Sequence, residues 1–308
     1  MHKIGFSTAL RLTPVLLAFS LTACDVKDTQ LMTNNTDNNA LAFTCVRETD
    51  KVPPISPEAE KLFQQARAME KASGAKDFNA IAKLYDKAGE LGHWKALQNL
   101  QVLYYQGLAD HPKPAQHVID INEKLIKLAV PIGYYNMATY LEQGYGVKQD
   151  KAAAMVYYRK SADMGSPNGQ TYVGKLLTWD AKQFDIGVPM LECAMNQGSG
   201  AAAWEIAGYY QMFKNDYANA LKYAQKAASL GSELAIGAVA ESFAEGSNAI
   251  RDYKTGIDKE RATRYKTIEK EIQRNPSARF PDIDKIVPLP PAPLPAWNGE
   301  FEYRKNRP

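Results

Sequence analysis

The sequence predicts an all-α solenoid of about six helix pairs, closed by a charged helix and an extended proline-rich tail. Three observations carry this expectation. A block of small and bulky apolar residues recurs five times between Gly92 and Phe243. Within each block these residues keep fixed offsets that fall on one face of a helix. No stretch alternates apolar and polar residues in the way a half-buried strand would.

The chain opens "MHKIGFSTALRLTPVLLAFSLTAC", with Lys3 and Arg11 ahead of an apolar run and no acid before Asp25. That run, Leu12 to Ala23, is about a dozen residues, short of the ~20 that span a bilayer as a helix. A basic start, a short apolar core and a small-residue cleavage site make residues 1–23 a secretory signal. Leu21-Thr22-Ala23-Cys24 resembles the bacterial lipobox, which implies acylation at Cys24. Residues 24–50 begin "CDVKDTQLMTNNTDNNA", a polar stretch poor in aromatics that cannot bury enough apolar surface to fold. It is expected to be a flexible tether. The resemblance places the body on the periplasmic side of a Gram-negative membrane. Asp25 favours the inner membrane, with the outer membrane left open.

Residues 51–250 form the expected solenoid. Ser56 before Pro57 reads as the N-cap of the first helix. The blocks "LGHWKALQNL", "LAVPIGYYNM", "MGSPNGQTYV", "QGSGAAAWEI" and "LGSELAIGAV" align at Gly92, Ala129, Gly165, Gly198 and Gly231, at intervals of 37, 36, 33 and 33 residues. Four residues on stand Ala96, Gly133, Gly169, Ala202 and Ala235, and twelve on stand Tyr104, Leu141, Leu177, Tyr210 and Phe243. Small residues let neighbouring helices approach, and bulky ones fill the space between them. A glycine anchor suits the left-handed residue that ends a helix. One such pair cannot bury its apolar face alone, so the pairs stack.

"YLEQGYGVKQDKAAAMVYYRKSADMG" carries the family resemblance. With Gly144, Gly146, Asp150, Tyr157-Tyr158 and Gly165 it resembles the Sel-one-like repeat (SLR), a relative of the tetratricopeptide repeat, over roughly residues 56 to 246. The resemblance implies a right-handed superhelix and protein binding. The segments "WDAKQFD" and "MFKNDYA" lack the Gly-x-Gly loop, which predicts shorter turns in the fourth and fifth units. Residues 251–275 read as a capping helix with a polar outer face. Residues 276–308 contain "VPLPPAPLPAWNGEF" and should be extended. Leu289, Leu294, Trp297 and Phe301 are costly to leave in water. The tail is expected to pack back on the solenoid, in part in its groove, or to serve as a docking peptide.

Lys plus Arg minus Asp plus Glu is 37 − 34 = +3. A near-neutral body lacks the electrostatic footprint of a nucleic-acid binder. Cys45 and Cys193 form an even pair that could bridge in an oxidising compartment; the competing reading makes Cys193 a buried thiol. His93, His111 and His117 have no Cys or carboxylate at ligand spacing, so no metal is expected, and no cofactor either. Ser73-x-x-Lys76, Tyr134-Tyr135-Asn136 and Lys254-Thr255-Gly256 follow the order of penicillin-binding enzymes. However, Ser73 falls in a turn and no strand is expected under the third motif, so no catalytic residue is assigned.

On the first helix of each pair, offsets three, six, ten and thirteen lie opposite the core. By resemblance to tetratricopeptide arrays that side lines the concave surface. It carries Lys95, Gln98 and Tyr105; Tyr135, Thr139 and Glu142; Asn168, Thr171 and Lys175; Trp204 and Gln211; and Glu241. Tyr and Trp are common interface anchors. The expected function is non-enzymatic protein binding. Its most specific form, implied by resemblance to small SLR lipoproteins, is an immunity protein against a type VI secretion (phospho)lipase effector. The alternatives are a scaffold or adaptor of an envelope complex and, remotely, a penicillin-binding activity.

Overall fold

The computed structural model describes residues 42–246 and 252–305. The expected signal segment, Cys24 and most of the expected tether lie outside the described residues. Fourteen helices follow in chain order among the described residues: α1 (Pro57–Lys71), α2 (Phe78–Glu90), α3 (Trp94–Tyr105), α4 (Pro114–Lys127), α5 (Pro131–Gln143), α6 (Lys151–Asp163), α7 (Pro167–Trp179), α8 (Phe184–Asn196), α9 (Gly200–Lys214), α10 (Tyr217–Ser229), α11 (Glu233–Ser242), α12 (Lys259–Arg274), α13 (Ile283–Ile286) and α14 (Glu302–Lys305). From α1 to α12 every helix packs on the next, giving six stacked pairs. No strand occurs among the described residues.

Helix ends are set by local chemistry. The Ser56 side chain caps α1 by accepting from the Ala59 N–H, and Asp150, Ser199 and Ser232 do the same for α6, α9 and α11. His93, fully buried, does it for α3: its Nδ1 accepts from Ala96 N–H at 3.1 Å, so Nε2 carries the proton toward Glu60 Oε2, also at 3.1 Å. All five anchors, Ala129 included, have positive φ at the corner between pairs. The smaller loops are where the sequence places them: residues 180–183 join α7 to α8 and 215–216 join α9 to α10, against 144–150 between α5 and α6.

Small residues sit where pairs approach. A Cβ on Gly169 would lie 2.6 Å from Ser161 Oγ and 2.7 Å from the Ala162 nitrogen, so α7 could not lie this close to α6 with any side chain there. The first helices of successive pairs also touch one another, α5 with α7 and α7 with α9. Among α5, α7 and α9 the first helices approach one another as the inner row of a curved stack does, and α1, α3 and α11 continue that row.

Two irregular segments are fastened to this frame. Residues 42–52 form a strap along the corners between pairs. Cys45 is disulfide-bonded to Cys193 of α8 across 148 residues of sequence. Arg159 donates to the Ala42 carbonyl, Gln170 to the Val46 carbonyl, and the Glu48 N–H donates to Gln197 Oε1 at 2.8 Å. Phe43 packs on the α6–α7 core and Val52 on the α1–α4 core. The expected tether therefore ends before residue 42: a covalent bond and side-chain donors hold residues 42–50 although their own composition would not. Gly165 makes room for the strap, since a Cβ there would lie 2.7 Å from the Arg47 carbonyl carbon.

The C-terminal segment covers α12 and α10. Phe280, Ile283, Ile286, Val287 and Phe301 are buried, with Leu289, Leu294 and Trp297 packed against them. It is not extended throughout, because α13 and α14 interrupt it. Proline has no N–H, so this stretch offers mostly acceptors. Two buried arginines of α12 supply the donors. Arg261 bonds the carbonyls of Pro288 and Ala292, and Arg264 those of Ile286 and Pro295. The capping helix is thus not simply polar on its outside: Arg261, Arg264 and Glu271 are buried beneath the tail. Its hydrogen bonds run to outer-row helices α10 and α12, so these contacts do not fill the groove.

Candidate functional site

The concave strip is built by the inner helices, whose apolar faces are consumed by the core. What remains is the row of offsets three, six, ten and thirteen. At its N-terminal end Tyr105 is 48% exposed and leans on Tyr145, ring centroids 4.9 Å apart. Lys95 is exposed and Gln98 half-buried beside it. Val102, at offset ten of the same helix, is 48% exposed; its offset marks it as a groove residue that an emphasis on polar side chains passes over. Leu234 of α11, at offset three, is likewise exposed.

The centre of the strip is a connected group. Glu142 stands in the last turn of α5, where the helix dipole presents its negative end, an unfavourable place for an acid. Two hydroxyls offset this. Tyr158 of α6 donates to Glu142 Oε2 at 2.8 Å, and Tyr172 of α7 to Oε1 at 3.2 Å. The Tyr158 and Tyr172 rings stack with centroids 3.8 Å apart, and Tyr135 meets Tyr158 edge-on at 5.5 Å. Thr139 Oγ1 lies 3.3 Å from the Tyr158 hydroxyl. Burial, and then the Glu142 charge, push the Tyr172 hydroxyl up to about 12, so it stays a neutral donor. Burial first and Glu142 next raise Tyr135 as well, and burial raises Tyr158.

Toward the C-terminal end, Lys175 pairs with Glu205 at 3.4 Å. Thr171 donates to the Pro167 carbonyl of its own helix and faces Ser199 Oγ at 2.9 Å. Trp204 is half-buried against the C-terminal core, and Gln211 donates to the Asp252 carbonyl. Asn168 and Glu241 are exposed. The structure thus brings Tyr135, Thr139 and Glu142 together, and it adds Tyr158, Tyr172 and Glu205. Tyr158 was visible in the sequence only as a repeat-motif tyrosine of the second helix; nothing in the spacing says that it reaches across to Glu142.

Other candidate features separate. Ser73 lies in the turn after α1, while Lys254–Gly256 lie before α12 at the far end of the stack, and Tyr134 to Asn136 lie on α5. The described residues contain no cluster of metal-ligating side chains. A cavity of about 540 Å³ opens between α10 and the C-terminal segment, with Lys222, Lys226 and Arg279 among its lining residues beside Met195 and Leu230. It includes none of the concave-strip residues.

The fold is shared with solved structures over most of the chain. The chain is similar to immunity protein Pa5087 of Pseudomonas aeruginosa, at 32% identity and a TM-score of 0.67, over 82% of this chain and 96% of that one. It is also similar to immunity protein PA5088 of the same organism, at 32% identity and a TM-score of 0.70, over 82% and 95% of the two chains. This chain belongs to their family. A Sel1 repeat protein from Oxalobacter formigenes, 19% identical with a TM-score of 0.54 over 70% of this chain and 90% of that one, shares the fold. Residues 236–308 match a family described as a domain of unknown function, DUF6396. That match takes in most of α11, all of α12 and the tail, where the buried arginines of this chain hold the proline-rich segment. Among curated proteins none matches.

Proposed function

We propose that this chain is an immunity protein that binds and neutralises a toxic effector, most specifically a (phospho)lipase delivered by type VI secretion. The observation that carries the reading is the likeness to two immunity proteins across 82% of the chain. The groove is the proposed contact face. It carries exposed Tyr105 and Val102 and half-buried Tyr135 and Trp204, and Tyr and Trp are the residue types that anchor protein interfaces. The proposed location is the periplasmic side of a membrane, held by a lipid on Cys24, with the inner membrane favoured by Asp25. The Cys45–Cys193 disulfide supports an oxidising compartment.

The test is co-expression in the periplasm with a lipase effector encoded beside its gene. Protection of the cells, a stoichiometric complex and loss of both on Trp204→Ala with Tyr135→Ala are the expected results. Failure to protect, with stable capture of a resident envelope complex instead, overturns the immunity reading in favour of a scaffold.

A further inference from the structure

We propose that Glu142, framed by Tyr135, Tyr158 and Tyr172, is the receptor for an arginine side chain of the protein partner that docks in the groove. The inference rests on the groove being the partner face and goes beyond it by naming the chemistry taken there.

The carboxylate is unusual for what it lacks. Glu142 makes no ion pair with any described residue, whereas the nearby groove cation Lys175 is already paired with Glu205. It also sits at the wrong end of its helix, so an acid is kept there against a local cost. Tyr158 and Tyr172 hold its two oxygens in place, one hydroxyl on each.

A carboxylate oxygen has two lone-pair directions. Each oxygen of Glu142 therefore keeps one acceptor site, and a guanidinium carries enough N–H donors to reach both from one side chain. A lysine ammonium also has donors for both oxygens, but it lacks the planar, preorganised fork and is more strongly hydrated. The rings add the second half of the recognition. Tyr135 and Tyr172 are half-buried beside the carboxylate, and a guanidinium stacks on aromatic faces better than an ammonium does. Exposed Val102 and Tyr105 continue the strip, so the arginine is expected within a segment that also carries apolar side chains.

The test uses the full chain and two probes, the acetylated, amidated tripeptide Leu-Arg-Leu and its citrulline counterpart, which has nearly the same shape and no charge. Titration calorimetry should show the arginine peptide binding at least tenfold tighter, with the preference shrinking as salt is raised. Glu142→Gln should abolish the preference, and Tyr172→Phe should reduce it severalfold while leaving the circular dichroism melt close to that of the parent. Equal responses to the two peptides, including none to either at millimolar concentration, overturn the proposal, as does a preference that survives in Glu142→Gln. If the peptides fail while the lipase is still captured, the immunity reading stands and this receptor falls. If the peptides succeed while a resident envelope complex is captured, the receptor stands and the immunity reading falls.

Discussion

The strap at residues 42–52 and the tail after Asn275 solve the same problem in opposite ways. Each is a length of chain with little helix that must stay on a helical frame. The strap brings few bulky side chains, Phe43 and Val52 among them, and leaves Cys45 itself exposed. It is held by one covalent bond and a few hydrogen bonds, in which Arg159, Gln170 and Gln197 serve its backbone. The tail brings Phe280, Ile283, Ile286, Val287 and Phe301, all buried, and it is held by apolar contact and arginine donors. Where a segment has apolar surface to bury, buried charge on the frame satisfies its carbonyls. Where it has little, a cross-link takes over.

The largest effect expected is on the strap. Replacing Cys45 and Cys193 by serine opens a loop of 148 residues' separation, for which chain entropy predicts a loss of about 5 kcal/mol. Chemical denaturation should show the same loss in the reduced parent, and limited proteolysis should now cut between residues 42 and 52. An unchanged melt in both would mean that noncovalent contacts hold the strap as they hold the tail.

Arg264→Ala should come next, at about 3 kcal/mol, because two buried carbonyls lose a charged donor. The loss should be the same under oxidising and reducing conditions, and the tail should become the first site of cleavage. If Arg264→Ala is no worse than exposed Lys270→Ala, apolar packing alone fixes the tail.

The smallest effect is pH-dependent. Burial holds the Glu48 carboxyl above its ordinary value. A raised folded value means that its contribution is full below the ordinary carboxylate range and is lost as pH rises through the raised value. Strap amides should exchange more slowly at pH 4 than at pH 7, after correction for intrinsic rates. Glu48→Gln should slow exchange at pH 7 and change nothing at pH 4. A parent with no pH dependence would remove Glu48 from the account of the strap.

The frame was legible because its signals are local and periodic. Small residues at fixed offsets, Ser56 before Pro57 and the glycine anchors all act within one turn or one helix pair. What was not legible acts across pairs. Cys45 and Cys193 are far apart in sequence, and pairing was only one of two open readings. Arg261, Arg264 and Glu271 look like solvent-facing charges, and only the tail folding over them makes them interior. In the groove, the offset of Glu142 marks it only as a face position, and its hydrogen bonds come from Tyr158 and Tyr172 on the two following helices.

The strap also fixes how the molecule would carry mechanical force. A pull on the chain ahead of residue 42 does not peel α1 from the end of the stack. Past the Arg159–Ala42 hydrogen bond it passes through Cys45 into Cys193, so the covalent path enters the solenoid at α8 and bypasses the helices from α1 to α7. The protein would resist such a pull at its middle, with the inner helices around Glu142 shielded from the tension, and their spacing would stay the same whether the chain is slack or taut.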